Sequence, residues 1–282
     1  MITRPIVVGV HPKCEEREAV ELAVMLAGMT GAPLEVVAAS WFDSTPGRTL
    51  RKDVEATFAR RFAGVLAASR QHAEIRVNVA AGSPSFLINE TARRVAAGLS
   101  VVGRGAKGPL GRLALGSTTE KVLDGSPCPV AVAPRGFTSH DAVVDRVGVA
   151  FVDTMEGRAA LRGAAMVAAH LGVPLVAYTA IASESGRVAA EQRLCDALAA
   201  LDAHLDAEAR VLVGDTPDLI AASGEVDLVV AGSRSYGPLR STVLGSFSGE
   251  LARHALCPVI VVPRAAENTM AGLFPRLDAL AA

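Results

Sequence analysis

Aromatic residues are scarce: one Trp, two Tyr and eight Phe among 282 residues, or 4%. The core must then be built from Val, Leu, Ile and Ala, a diet that suits buried parallel strands covered by Ala-rich helices. An excess of charge of either sign is also missing, with 28 Lys and Arg against 29 Asp and Glu. No global field draws such a chain to nucleic acid or to an anionic membrane. No apolar run reaches the ~18 residues a membrane span requires. The start, Met1-Ile2-Thr3-Arg4-Pro5, has no charged segment followed by an apolar one. Cys14, Cys128, Cys195 and Cys257 form no CxxC pair, so they read as reduced, semi-buried thiols of a cytoplasmic protein. The six His residues show no metal-ligand spacing. No G-x-S-x-G elbow supports hydrolase chemistry.

What is present is a repeat. Gly103–Arg135 and Gly232–Arg264 align without a gap at an offset of 129 residues and share 13 of 33 positions. The shared residues include Gly-Pro-Leu, Leu-Gly-Ser, Cys-Pro-Val and Pro-Arg. The earlier parts correspond at an offset of 140 to 141: Ile6–Val10 with Arg146–Ala150, and Gly31-Ala32-Pro33-Leu34 with Gly172-Val173-Pro174-Leu175. The first copy carries about a dozen extra residues around Trp41 to Arg61, as expected of a surface connection. This is one unit written twice. The boundaries are a first domain over 1–136, a linker over 137–145, a second domain over 146–264, and a tail over 265–282. In that tail Leu273, Phe274, Leu277 and Leu280 have helical spacing, which predicts a short helix docked on the body.

Short Val-rich runs bounded by Gly and Pro predict strands near 6–10, 34–39, 75–79, 99–102 and 129–133. In the second copy they fall near 147–151, 175–180, 208–213, 227–231 and 258–262. Helical patterns lie between them, including Glu15 to Gly28 and Glu156 to Leu171. Alternating strands and helices give an α/β fold, a parallel sheet with right-handed crossovers and helices on both faces.

Ligands of such sheets bind beyond the carboxyl ends of the strands, where strand order reverses. The fourth strand of each copy ends in glycine, Gly103 or Gly232, and Gly116-Ser117 or Gly245-Ser246 opens the next helix. Glycines admit close approach of a phosphate, and a helix N-terminus attracts its charge. A Ser in that first turn can donate its hydroxyl to the same oxygen.

The spacing of Gly103 to Gly116-Ser117, repeated as Gly232 to Gly245-Ser246, resembles the universal stress protein signature G-x2-G-x9-G-[S/T]. The Cys-Pro-Val strand and the Pro-Arg ending resemble that family too, in its tandem actinobacterial form. The resemblance implies two doubly wound parallel five-stranded sheets of flavodoxin-like order 3-2-1-4-5, paired through their fifth strands about a pseudo-twofold axis. It also implies an adenine nucleotide, ATP with or without Mg, as ligand. The implied site residues are Gly103, Ala106, Gly116, Ser117 and Ala39 in the first half, and Gly232, Ser235, Gly245, Ser246, Asp153 and Ala180 in the second. Three departures stand out. Ala106 and Ser235 replace the second glycine of the signature. The acid expected at the end of the first strand is His11 in half one, and Val152 followed by Asp153 in half two. Asp153 makes half two the better candidate.

The functional expectation is a stress-response sensor or regulator that binds nucleotide without efficient catalysis, since no base is evident to activate water. The alternative is an interaction module of the same fold that binds no nucleotide and works through its dimer surface. A homo-oligomer beyond the internal pairing is allowed, and any protein partner is unspecified. Gly103-Arg104-Gly105-Ala106-Lys107-Gly108 matches G-x-G-x-x-G, but after the fourth strand rather than the first, which argues against a dinucleotide site. Gly111 to Gly116-Ser117 lacks the Lys of a P-loop. Arg104, Lys107, Arg112, Arg234 and Arg240 read singly as solvated surface charge and together as an offset to phosphate. Ser117 with Glu120 reads as a capping box competing for the same amides.

Overall fold

A computed structural model describes residues 3–11, 13, 17–40, 48–64, 74–105, 115–139, 143–201, 204–214, 216–233, 246–263 and 270–274. In half one, β1 (Ile6–Val10), α1 (Arg17–Thr30), β2 (Leu34–Ser40), α2 (Arg48–Arg61) and β3 (Ile75–Ala81) are followed by α3 (Pro84–Arg94), β4 (Leu99–Gly103), α4 (Ser117–Gly125) and β5 (Val130–Ala133). Half two repeats the pattern with β6 (Val147–Ala150), α5 (Met155–Leu171), β7 (Leu175–Ile181), α6 (Arg187–Ala199) and β8 (Ala207–Val213). It closes with α7 (Thr216–Ala222), β9 (Leu228–Gly232), α8 (Ser246–His254) and β10 (Val259–Val262).

The strands form one ten-stranded sheet of order β3-β2-β1-β4-β5-β10-β9-β6-β7-β8. Each half has the expected 3-2-1-4-5 order, but the two sheets are fused edge to edge. Every strand pair is parallel except β5 with β10. In that antiparallel pair Ile260 lies opposite Ala131, with Val259 opposite Val132 and Val261 opposite Val130. Ala131 and Ile260 are equivalent residues of the two copies, so the register is symmetric about them.

The central strands are Val-rich and buried on both faces, as parallel strands under two helix layers must be. Helices α1, α2, α5 and α6 pack on one face, and α3, α4, α7 and α8 on the other. The outer strands β3 and β8 carry Arg76 and Asn78, or Glu208 and Arg210. Charges of that kind discourage further pairing at a sheet edge. The segment of half one read as extra contains α2, the counterpart of α6, whose Val54 and Phe58 are buried while its other side faces solvent. Helix α5 is capped by the Thr154 hydroxyl, which accepts the Gly157 N–H at 3.1 Å, and it stops at Gly172 with φ 69°.

Two segments outside the sheet are docked on the helical layers. After β5 the chain is tied to α1, where Glu18 accepts the Gly136 N–H at 3.1 Å. Buried Glu21 accepts the Ser139 N–H at 2.5 Å and its hydroxyl at 3.1 Å. Near the C-terminus, Met270–Leu273 form a 3₁₀ turn. This turn is docked across both halves: the Arg4 N–H donates to Gly272 O at 3.0 Å, and Leu273 and Phe274 are buried. Phe274 meets the His170 ring at 4.9 Å, and His170 Nε2 bonds Met29 O at 2.8 Å. Gly98 and Gly163 make room for the turn, since a Cβ on either would sit 2.8 Å from Leu273 or from the Met270 sulfur. Leu277 and Leu280 lie outside the described residues.

Candidate functional site

The glycine loop of half one is stitched together at its stem. The Gly116 N–H donates to Arg104 O at 3.0 Å, and the Thr119 hydroxyl donates to Gly103 O at 2.7 Å. Gly105 has φ +88°, and a Cβ there would lie 2.7 Å from Gly116 N. Only glycine combines that conformation with that approach. The segment from Ala106 through Lys107 and Arg112 lies outside the described residues.

The stem delivers the chain into α4 with Gly116, not Ser117, as N-cap, at φ −63° and ψ 147° with no side-chain capping bond. The expected capping box is therefore displaced by one residue. Ser117 is already helical and exposed, and Gly116 supplies only its backbone carbonyl, which accepts the Glu120 N–H at 3.0 Å. The cap leaves the first-turn amides without the side-chain acceptor that usually satisfies one of them. A phosphate oxygen can take that place.

Arg104 does not face solvent. It is 8% exposed, and its Nη2 donates to Ala255 O at 2.7 Å, just past the end of α8 in the other half. Burial, and then the neighbouring Arg135, hold its pKa below the ordinary guanidinium value, with Cys257 a smaller opposing influence. The negative end of the α8 dipole favours a cation at this position. Its Nε and that of Arg135 have no hydrogen-bond partner. Arg135, of the Pro-Arg ending, donates from Nη2 to Gly105 O at 3.0 Å and so braces the loop stem. The sequence reading missed that role.

In half two the same motif glycine serves another purpose. A Cβ on Gly232 would lie 2.7 Å from the Glu156 carbonyl carbon and oxygen, and one on Gly157 would lie 1.9 Å from Val152 O. Both glycines let the first turn of α5 settle onto the end of β9. A Cβ on Gly103 would meet nothing closer than Ala19 Cβ at 3.9 Å. Ser235, Arg234, Arg240 and Gly245 lie outside the described residues; Ser246 begins α8.

Asp153 turns to the layer of α5 and α6. Its carboxylate takes Arg158 Nε at 2.7 Å, and that hydrogen bond holds its pKa below the usual carboxylate value. With Arg162, Arg193 and Asp196 it borders a surface recess of about 310 Å³. This engagement removes the reason for preferring half two. In half one His11 is exposed, and its Nδ1 accepts the Lys13 N–H at 3.2 Å. Ala39 is buried near the end of β2 beside Ala80, whereas Ala180, near the end of β7, is exposed.

Cys128 and Cys257 are buried and Cys195 is exposed. Burial pushes the Cys257 thiol up to about 12, which leaves it inert at neutral pH. Among the described residues no three His, Cys, Asp or Glu side chains gather as a metal site, and no helix is long and apolar enough to cross a membrane.

Residues 3–134 and 144–263 each match the universal stress protein family. Rv2319c, a universal stress protein of Mycobacterium tuberculosis, is 25% identical over 229 residues, covering 73% of this chain and 76% of the relative. A second from the same organism, Rv2005c, is 31% identical over 186 residues, covering 57% and 60%. The crystal structure of a universal stress protein from Archaeoglobus fulgidus superimposes with a TM-score of 0.68 at 20% identity, covering 92% of this chain and 98% of that one. With the repeat, the strand order and the glycine loops all agreeing, this chain belongs to the universal stress protein family and carries two copies of its domain in tandem.

Proposed function

We propose that the chain binds an adenine nucleotide, ATP above all, with its phosphates at the glycine loops, and that it regulates by its bound state rather than by turnover. The observation that carries this reading is the N-terminus of α4. Gly116 caps it without a side chain, the contact with Gly105 fixes it in place, and the exposed Ser117 follows. These residues fit phosphate oxygens. They do not fit a metal held by the protein: Asp153 is paired with Arg158, and half one has His11 at the corresponding place. A Mg²⁺ carried in with ATP would take its ligands from phosphate and water, and no step is assigned to it.

The case against efficient catalysis is chemical. A general base needs a free proton acceptor beside the reacting oxygen. Glu120, the acid in the first turn of α4, is ion-paired with Arg253 at 3.4 Å. The test is mass spectrometry of small molecules released from the freshly purified protein, followed by calorimetric titration with Mg-ATP. Released nucleotide or saturable binding supports the reading. Silence in both experiments favours the interaction module, a reading that the engagement of Asp153 by Arg158 already favours for half two.

A further inference from the structure

The recess beside Asp153 belongs to a helical layer and not to the glycine loops, since α5, α6 and the residues flanking them supply its lining. Leu161, Ala197 and Leu201 give it an apolar side continuous with the core of that face. Its charged lining is Arg158, Arg162 and Arg193 against two carboxylates, Asp153 and Asp196. Both carboxylates are already engaged, Asp153 by Arg158 Nε at 2.7 Å and Asp196 by the Gln192 amide at 2.7 Å. Among the described residues Arg162 and Arg193 have no hydrogen bond or ion pair of their own. Arg193 also lowers the Asp153 pKa, after Arg158, so its charge acts within the same recess.

The corresponding place in half one has a different character. At the offset of 141 residues Arg158 matches Arg17 and Arg162 matches Glu21. Arg17 and Glu21 form an ion pair at 2.5 Å, and Glu21, buried, also accepts the Ser139 N–H. In α5 the second member is an arginine, so the same spacing sets two like charges one turn apart. Like charges at i and i+4 destabilise a helix. Asp153 offsets Arg158, but no acidic side chain among the described residues pairs with Arg162. An anion between α5 and α6 would supply that missing charge. Guanidinium groups take phosphate and carboxylate oxygens in paired, directional hydrogen bonds. The volume of about 310 Å³ lies at the lower end of small-molecule sites.

We propose that the recess between α5 and α6 is a binding site for a small amphipathic organic anion. Arg162 and Arg193 take its phosphate or carboxylate oxygens, and its apolar body lies against Leu161, Ala197 and Leu201. The site is separate from the glycine loops and stands whether or not they hold nucleotide. It belongs to half two, because half one has Glu21 at the position of Arg162.

The experiment is ligand-observed NMR titration of the full chain with phenyl phosphate and with benzoate. Inorganic phosphate and benzyl alcohol serve as the head and the body alone. At least one aryl anion binds saturably, about threefold or more tighter than inorganic phosphate, and benzyl alcohol binds without saturation. Arg162→Gln and Arg193→Gln each weaken that aryl anion about tenfold, and high salt weakens it in wild type. Both side chains are exposed, so both variants keep the wild-type melting temperature. Failure of both aryl anions to saturate overturns the inference. So does an affinity unchanged by either substitution, which is what occupancy of the glycine loops would give. Inorganic phosphate that binds as tightly as the aryl anion also overturns it, as does benzyl alcohol that does so.

Discussion

Arg104 and Ala255 belong to different halves, and a 2.7 Å hydrogen bond from the guanidinium of the first to the carbonyl of the second crosses the seam on the α4 and α8 face. Arg104 follows directly on β4, and its own carbonyl holds Gly116. The stem of one glycine loop is thereby anchored to the helix that begins at the other. Truncating Arg104 to Ala strands the Ala255 carbonyl just past α8 and empties a buried site. The expected cost is about 1–3 kcal/mol, read as a drop in the urea midpoint. An unchanged midpoint means the bond contributes nothing net.

The two motif glycines should respond differently to a methyl group. Gly232→Ala drives a Cβ to 2.7 Å from the Glu156 backbone, whereas Gly103→Ala meets only ordinary contacts. Overpacking against backbone costs about 1–3 kcal/mol, so Gly232→Ala lowers the melting temperature and Gly103→Ala leaves it nearly unchanged. Equal losses would show that the first turn of α5 yields more readily than its position implies.

Thiol reactivity separates the cysteines by depth. Cys195, exposed on α6, should react promptly with a maleimide at pH 7, while Cys128 and Cys257 stay silent until the fold opens. Burial raises both of the latter, Cys257 to about 12, so the thiolate that reacts is absent at neutral pH. Labelling of Cys257 in native buffer at the rate of Cys195 would contradict its burial.

Glu21 gives the acid limb of the stability profile a definite sign. Burial opposes its ionisation, but hydrogen bonds from Arg17 and from the backbone and hydroxyl of Ser139 outweigh that and hold its pKa below 4.5. A carboxyl with a folded pKa below its unfolded one adds stability that is fully present above the unfolded value. That stability is lost as pH falls through the folded value. Glu21→Gln should therefore be less stable than wild type at pH 7, with the gap closing below pH ~4. The comparison needs only urea midpoints across pH, and a gap that stays constant in acid assigns the loss to packing instead of charge.

Much of the fold was legible because its determinants are local. Runs such as Ile6–Val10 and Leu228–Gly232, bounded by Pro or Gly, put strands within a residue or two of their observed limits. The family resemblance then supplied the strand order and the fifth-strand pairing. The site was harder to read because its deciding contacts are not local. Arg104 in a glycine loop reads as solvated charge, and only the antiparallel seam brings Ala255 to it. Asp153 looked like the missing acid, yet Arg158, five residues on, takes it. Gly116 and Ser117 differ by one position as caps, finer than pattern reading resolves. Gly232 carries a family motif, but its need for glycine comes from the approach of α5.

The symmetric register of β5 also bears on how the chain is made. Until β10 leaves the ribosome, the Val130–Ala133 edge has nothing to cover it, and strands β6 to β9 must be synthesised first. An open apolar edge is a template for any complementary strand. Since Ala131 sits at the centre of its own pairing pattern, the best mimic of β10 available to a nascent half one is β5 of a neighbouring nascent chain. Joining the two units in one polypeptide keeps the rightful strand close at hand and turns a contest between molecules into a closure within one.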